Sequence, residues 1–164
     1  MWIAALALGA LAAGPTGEAS AQVGIAVGPV LQDSELGVRG GLDSGLLLVA
    51  AERYALDDGP RTRGELALRV SVRLTRRLRL EPQIGIIPFD YFDSALEDRF
   101  AFSASGTIRL AVKLTGPLAL ALEPLRLEAR MFQVTIPDGR PDNTHTDRDT
   151  TWLAGGWVAL RVGY

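Results

Sequence analysis

The sequence predicts an all-β chain folded as an eight-stranded, antiparallel, up-and-down barrel. Three observations carry this. Side-chain character alternates with period two through most of the chain after residue 21. No stretch there sustains a helical period. Turn signals cut the chain into an even number of segments.

Taken in order, the strands are expected at 22–31, 36–42, 46–56, 64–75, 78–92, 99–114, 118–134 and 151–164. The first lies between the small residues around Ala21 and the polar Asp33-Ser34 step. The second is short and glycine-rich, with Gly37, Gly40 and Gly41. The third, LLLVAAERYAL, is a nearly continuous apolar run whose phase the sequence leaves open. The fourth alternates plainly: Leu66, Leu68, Val70 and Val72 oppose Glu65, Arg69, Ser71 and Arg73. The fifth is LRLEPQIGI and its continuation to Phe92. In the sixth, Phe100, Phe102, Ile108, Leu110 and Val112 oppose Ser103, Ser105, Thr107, Arg109 and Lys113.

The seventh strand conflicts with itself. Leu118, Leu120 and Leu122 are even, whereas Leu125, Leu127 and Met131 are odd, which puts Arg126, Glu128 and Arg130 on the even phase. One extra residue flips the side-chain phase, and proline is tolerated where the ladder is interrupted. A bulge is therefore expected at Glu123-Pro124. In the eighth, Trp152, Val158, Leu160 and Val162 oppose Leu153, Trp157, Ala159 and Arg161.

The connections fall into two sets. Asp43–Gly45, Arg76-Arg77 and Thr115–Pro117 are tight. Gln32–Glu35, Asp57–Arg63, Asp93–Asp98 and Thr135–Thr150 are polar and expected to be longer. Alternate connections of an up-and-down barrel lie at opposite ends, so this asymmetry is expected to separate a short-turn end from a loop end.

Composition narrows the function classes. Of 164 residues, 48% are hydrophobic, 17 are Lys or Arg and 19 are Asp or Glu, a net charge of -2. Such a chain is neither disordered nor a basic nucleic-acid binder. It has no cysteine, hence no disulfide, and one histidine, His145, hence no multi-histidine metal site.

Residues 1–21 read as an export signal. An apolar run, MWIAALALGALAAG, precedes Pro15 and Gly17, and Ala19-Ser20-Ala21 supplies a small-x-small cleavage site. The run is too short for a spanning helix, which needs about 20 apolar residues. No Lys or Arg precedes it, a departure from the usual layout. The expected organisation is a signal peptide, 1–21, and one barrel domain, 22–164.

Periodicity does not say which face is outside. Four features favour an aliphatic exterior in contact with lipid. The polar face is charged along its length, with Arg39, Glu65, Arg69, Arg73, Arg79, Glu81, Arg109, Lys113, Glu123 and Arg161. Small residues such as Ala67, Ser103 and Ser105 intervene, as the taper of a small barrel requires. Tyr54, Phe89, Tyr91, Phe92, Phe100, Phe102, Phe132 and Trp152 gather near the expected loop end, where aromatic rings suit a membrane–water interface. Third, the chain closes on an amphipathic strand with a terminal aromatic, Trp157 to Tyr164. Fourth, an export signal, no cysteine and an even strand number occur together.

The terminal strand resembles the C-terminal signature of bacterial outer-membrane barrel proteins, and Leu78–Ile86 looks like an LEPxxGI strand of that group. The whole chain after residue 21 resembles the small outer-membrane β-barrel proteins, the porin-like and OmpA-like eight-stranded family. The resemblance implies a transmembrane barrel in the outer membrane, with outer-membrane lipids as neighbours and recognition of the C-terminal strand by the assembly machinery.

Chemistry is sparse. His145 lies in DGRPDNTHTDRDT. Small outer-membrane lipid A deacylases carry a His-x-Ser pair, but Thr146 and Asp147 follow His145 here. Asp138, Asp142, Asn143, Asp147 and Asp149 share that loop without calcium-loop spacing, and Asp57-Asp58 reads as turn chemistry. Nucleotide-binding glycine motifs are absent. No catalytic, metal or cofactor-binding residue is therefore expected, and no cofactor. The lumen is expected to be filled by long Arg and Glu side chains.

The expected role is structural or surface-interacting, without catalysis or nucleic-acid binding. The segment 135–150 would be the place for an extracellular partner. Two alternatives have different signatures. A secreted lipocalin-like barrel would turn its Leu/Val face inward around an apolar ligand. A lipid-modifying outer-membrane enzyme would need catalytic groups on its wall.

Overall fold

The computed structural model describes residues 23–44, 46–94, 97–137 and 144–163. The expected export signal and the terminal Tyr164 lie outside these. The described residues contain strands and turns and no helix. Ten strands are present: β1 Val23–Gln32, β2 Glu35–Ser44, β3 Leu47–Leu56, β4 Gly59–Arg69, β5 Val72–Arg73, β6 Leu78–Asp93, β7 Glu97–Lys113, β8 Leu118–Pro137, β9 His145–Asp147 and β10 Thr151–Val162. Eight are long. The two short ones, β5 and β9, pair with β6 and β8.

Every pairing is antiparallel, the eight long strands pair in chain order, and β10 pairs with both β8 and β1. That closure removes the sheet edges and makes the sheet an eight-stranded barrel. Ile25 faces Val162 across the seam, and Val30 faces Trp157.

The expected bulge in the seventh long strand is present. Glu123 pairs with Trp157 and Arg126 with Gly155, so Pro124 and Leu125 together oppose Gly156. Both extra residues point outward, and Arg126 and Glu128 turn inward. Thr107 Oγ1 donates to the freed Leu125 carbonyl at 2.9 Å. The same device recurs unannounced in β6. Ile87 pairs with Ser103 and Asp90 with Ala101, so Pro88 and Phe89 oppose Phe102 alone. A third irregularity in β8 adds Met131 between the partners of Ser103 and Phe102. The first two keep ionic residues on the inside of a strand too long for one phase, and the third keeps Gln133 there.

The connection lengths correct the expectation. Asp33-Ser34 is a two-residue turn, with φ of 49° and 73° at its two residues. That twist matches the flanking strands, and Asp tolerates it better than most residues. Asp57-Asp58 is equally tight, because Leu56 pairs with Gly59. The segment Gly59–Arg63, expected as loop, joins β4: Arg61 and Arg63 face acidic partners inside, and tertiary pairing overrides weak local β preference. The turn at 74–77 is longer than expected, closed by Leu74 N–H to the Leu78 carbonyl at 2.9 Å. Within Thr135–Thr150, β9 folds back, pairing His145 with Thr135 and Asp147 with Gln133. The loop end is therefore marked less by long connections than by the height of β6, β7 and β8, which rise past β1–β3.

Candidate functional site

The interior is ionic and the exterior aliphatic. Arg69 and Arg109 are buried, Arg109 completely, while Leu66, Leu68, Val27, Ile84 and Leu160 are exposed. An interior lined by Leu and Val, as a lipocalin-like barrel requires, is not what this chain builds. Arg73 departs from the expectation. It stands exposed on β5, below the closed wall. The undecided third strand takes its phase from Leu48, Ala50, Glu52 and Tyr54, which point inward.

Seven arginines and seven carboxylates are fully enclosed among the described residues, so the lumen is electrically balanced. They sit in three tiers. At the end nearest both described termini, Arg161 donates to Asp43 at 2.7 Å and to Glu81 at 3.0 Å, and Arg69 lies 3.1 Å from Asp43. At the waist, Arg39 donates to Glu52 at 3.0 Å and Glu65 at 2.7 Å, and Arg126 bridges the same two carboxylates. Ser105 donates to Glu65 at 2.6 Å and Tyr54 to Glu52 at 2.8 Å. Above, Arg63 pairs with Glu128 and approaches Glu52 and Asp90 at 3.3 Å each.

Trp157 lies within this column, with the guanidinium carbons of Arg39 and Arg109 4.6 and 4.9 Å from its ring centre. The indole N–H donates to the Gly28 carbonyl at 3.3 Å. Alanines at 26, 111, 119, 121 and 159 face inward and leave room for these long groups. Gly37 does the same for Tyr54, since a Cβ there would come within 2.6 Å of the ring. Charges out of water require such pairing.

The lumen widens above these tiers into a cavity of about 160 Å³ at the loop end. Leu56, Phe92, Ala101 and Leu153 form its apolar wall, and Arg61, Asp90, Arg99 and Arg130 its polar one. Arg61 holds both oxygens of Asp90, at 2.8 and 2.7 Å, and reaches Glu35 at 2.8 Å.

The aromatic expectation holds for six of eight rings. Phe89, Tyr91, Phe100, Phe102, Phe132 and Trp152 lie on the outer face, but Tyr54 and Phe92 point inward. Tyr91 and Phe100 are 4.6 Å apart, and Phe102 stacks on Phe132 at 5.7 Å. The outward rings occupy β6, β7, β8 and β10, half of the circumference.

His145 is exposed on β9. Asp147 accepts the Asp149 N–H at 2.9 Å, which is turn geometry. Asp138, Asp142 and Asn143 lie outside the described residues. Among those described, no group of three His, Asp or Glu side chains is arranged to hold a metal. Glu52, Arg61, Arg63 and Asp90 do not stand out in the sequence pattern. An acidic residue inside the apolar run at 52 was the available signal.

No family model matches the chain, and no curated protein matches it. One solved structure does, the crystal structure of Neisserial surface protein A. It is 12% identical, with 87% of this chain and 96% of that chain covered, at a TM-score of 0.20. A likeness at that score supports no inference about fold or function.

Proposed function

We propose that this chain is an outer-membrane β-barrel with a structural or surface-interaction role, a filled ionic lumen and no catalytic one. The observation that carries the reading is the reversed polarity: ion-pair tiers inside, and aliphatic side chains around the outside, with Arg53 a charge on the outer face near the loop end. In water an exterior of that kind would aggregate, whereas hydrocarbon is its natural solvent. The strands β1–β3 have 10 residues each, the length that crosses a hydrocarbon core when tilted. The aromatic half-belt suits one interface of that core.

In this reading residues 1–21 direct export, the outer-membrane lipids contact the outer face, and the assembly machinery reads the C-terminal strand. Any extracellular partner meets the segment 135–150, and the cell's lipid A profile is the same with or without the protein.

One substitution separates lipid from water. Val27 is mid-strand and 53% exposed. Val27→Arg on a water-facing surface changes stability by about 0.5 kcal/mol or less. At a bilayer midplane it costs about 2–4 kcal/mol. Urea unfolding of vesicle-folded protein is expected to show the larger loss. Cell fractionation is expected to place the chain with the outer membrane, with heat-modifiable gel mobility; recovery as a soluble monomer overturns the reading.

A further inference from the structure

The geometry points to a binding site for a small organic anion in the loop-end cavity, with Arg130 as its anchor. Of the three carboxylates that line this cavity, Asp90 and Glu35 are already engaged, and Asp33 stands exposed to solvent at the β1–β2 turn. Arg61 grips Asp90 through both oxygens and takes Glu35 as well. Arg63 adds a third contact to Asp90 at 3.3 Å. Arg130 comes last: it lies 3.8 Å from Asp90, and its short hydrogen bond is to the neutral Gln133, at 3.0 Å. Its Nε is buried without a hydrogen-bond partner, as are those of Arg39, Arg69, Arg126 and Arg161, but each of those has a carboxylate within 3.1 Å and Arg130 has none. Its side chain is only 18% exposed. A guanidinium so enclosed, without a close carboxylate of its own, is costly unless an anion completes it.

The rest of the cavity defines the body of that anion. Phe92 and Leu153 offer flat and branched apolar surfaces, and Arg99 lies 4.3 Å over the Phe92 ring, a second cation on the same wall. Arg99 already holds Glu97 at 2.9 Å, so it adds field rather than a vacant bond. The volume of about 160 Å³ suits one ring or a short branched chain, as a 150 Å³ apolar cavity accepts benzene. The ligand class is therefore a monocarboxylate with a single-ring or short branched body, its carboxylate on Arg130 and its body against Phe92 and Leu153. The tiers beneath close the cavity from below, so the site is a blind cup rather than an entrance.

The test is a titration of the folded chain with benzoate, followed by saturation-transfer NMR. Benzyl alcohol and benzylamine serve as the neutral and cationic counterparts. Benzoate is expected to saturate, with benzyl alcohol at least tenfold weaker and benzylamine weaker still. Arg130→Gln is expected to weaken benzoate at least tenfold and leave benzyl alcohol unchanged. Leu153→Trp, which fills the cup from the strand paired with that of Arg130, is expected to abolish saturation while Arg130 remains. Equal binding of benzoate and benzyl alcohol, preference for benzylamine, or full benzoate binding by either variant overturns the site. Heat-modifiable mobility of each variant reports folding separately. The titration applies equally to a soluble barrel, so its outcome is distinct from that of the membrane reading.

Discussion

At the scale of single residues, Glu52 joins more of the lumen than any neighbour. It accepts from Arg39 and Arg126, approaches Arg63, and receives the Tyr54 hydroxyl. Neutralising it leaves three enclosed guanidiniums sharing what Glu65, Glu123, Glu128 and Asp90 can offer. Removing one partner of a buried ionic cluster costs about 3–5 kcal/mol, because the remaining charges stay out of water. Glu52→Gln is expected to lose stability of that order in urea unfolding of vesicle-folded protein. A loss below about 1 kcal/mol would mean that water reaches the waist and screens it.

At the scale of elements, the bulges decide which way the charges point. In β8 the relevant quantity is the number of residues between Glu123 and Arg126, not the proline itself. Pro124→Ala keeps that number and is expected to fold with normal heat-modifiable mobility. Deleting Leu125 restores a regular ladder and swings either Arg126 and Glu128 or Glu123 to the outer face. Each charge on a lipid-facing wall costs about 2–4 kcal/mol near the midplane. The deletion is therefore expected to abolish folding into vesicles, and a well-folded deletion variant would show that the bulge is dispensable. The β8 bulge was legible in the sequence because the charged residues change parity across it, from Glu123 to Arg126 and Glu128. The β6 bulge was not. Only Asp90 follows Pro88-Phe89 on the new phase as a charge, and Tyr91 and Phe92 pass as well outside as inside. Likewise, Arg61 and Arg63 sit among Gly, Pro and Thr, residues that signal a turn until Asp90 and Glu52 are seen opposite them.

At the scale of the whole molecule, the two ends differ in exposed charge. Among the described residues, exposed Asp33, Asp57, Asp58, Asp93, Asp147 and Asp149 lie at the loop end and outnumber the exposed Arg53 and Arg148 there. Exposed Arg73, Arg76 and Arg77 lie at the other, where both described termini also lie and where the described carboxylates are buried. Between these ends the lumen is occupied by Trp157 and its flanking arginines rather than by a channel. Reconstituted in planar bilayers, the chain is expected to give no steady open-pore conductance. A persistent conductance would show that the three tiers part in the membrane.

What the sequence by itself determined was the period, the number of long strands, the ionic and aliphatic faces, and the parity change at Pro124. These follow from chain-local rules, because a strand repeats every two residues wherever it lies. Only the tertiary structure decided that the ionic face is the inner one, which phase the apolar third strand takes, and how short the loop-end turns are. Those depend on partners far apart in the chain. Arg126 meets Glu52, and Arg161 meets Asp43. An enclosed charge takes its place from its counter-ion, and the one-dimensional pattern does not record where that counter-ion will be.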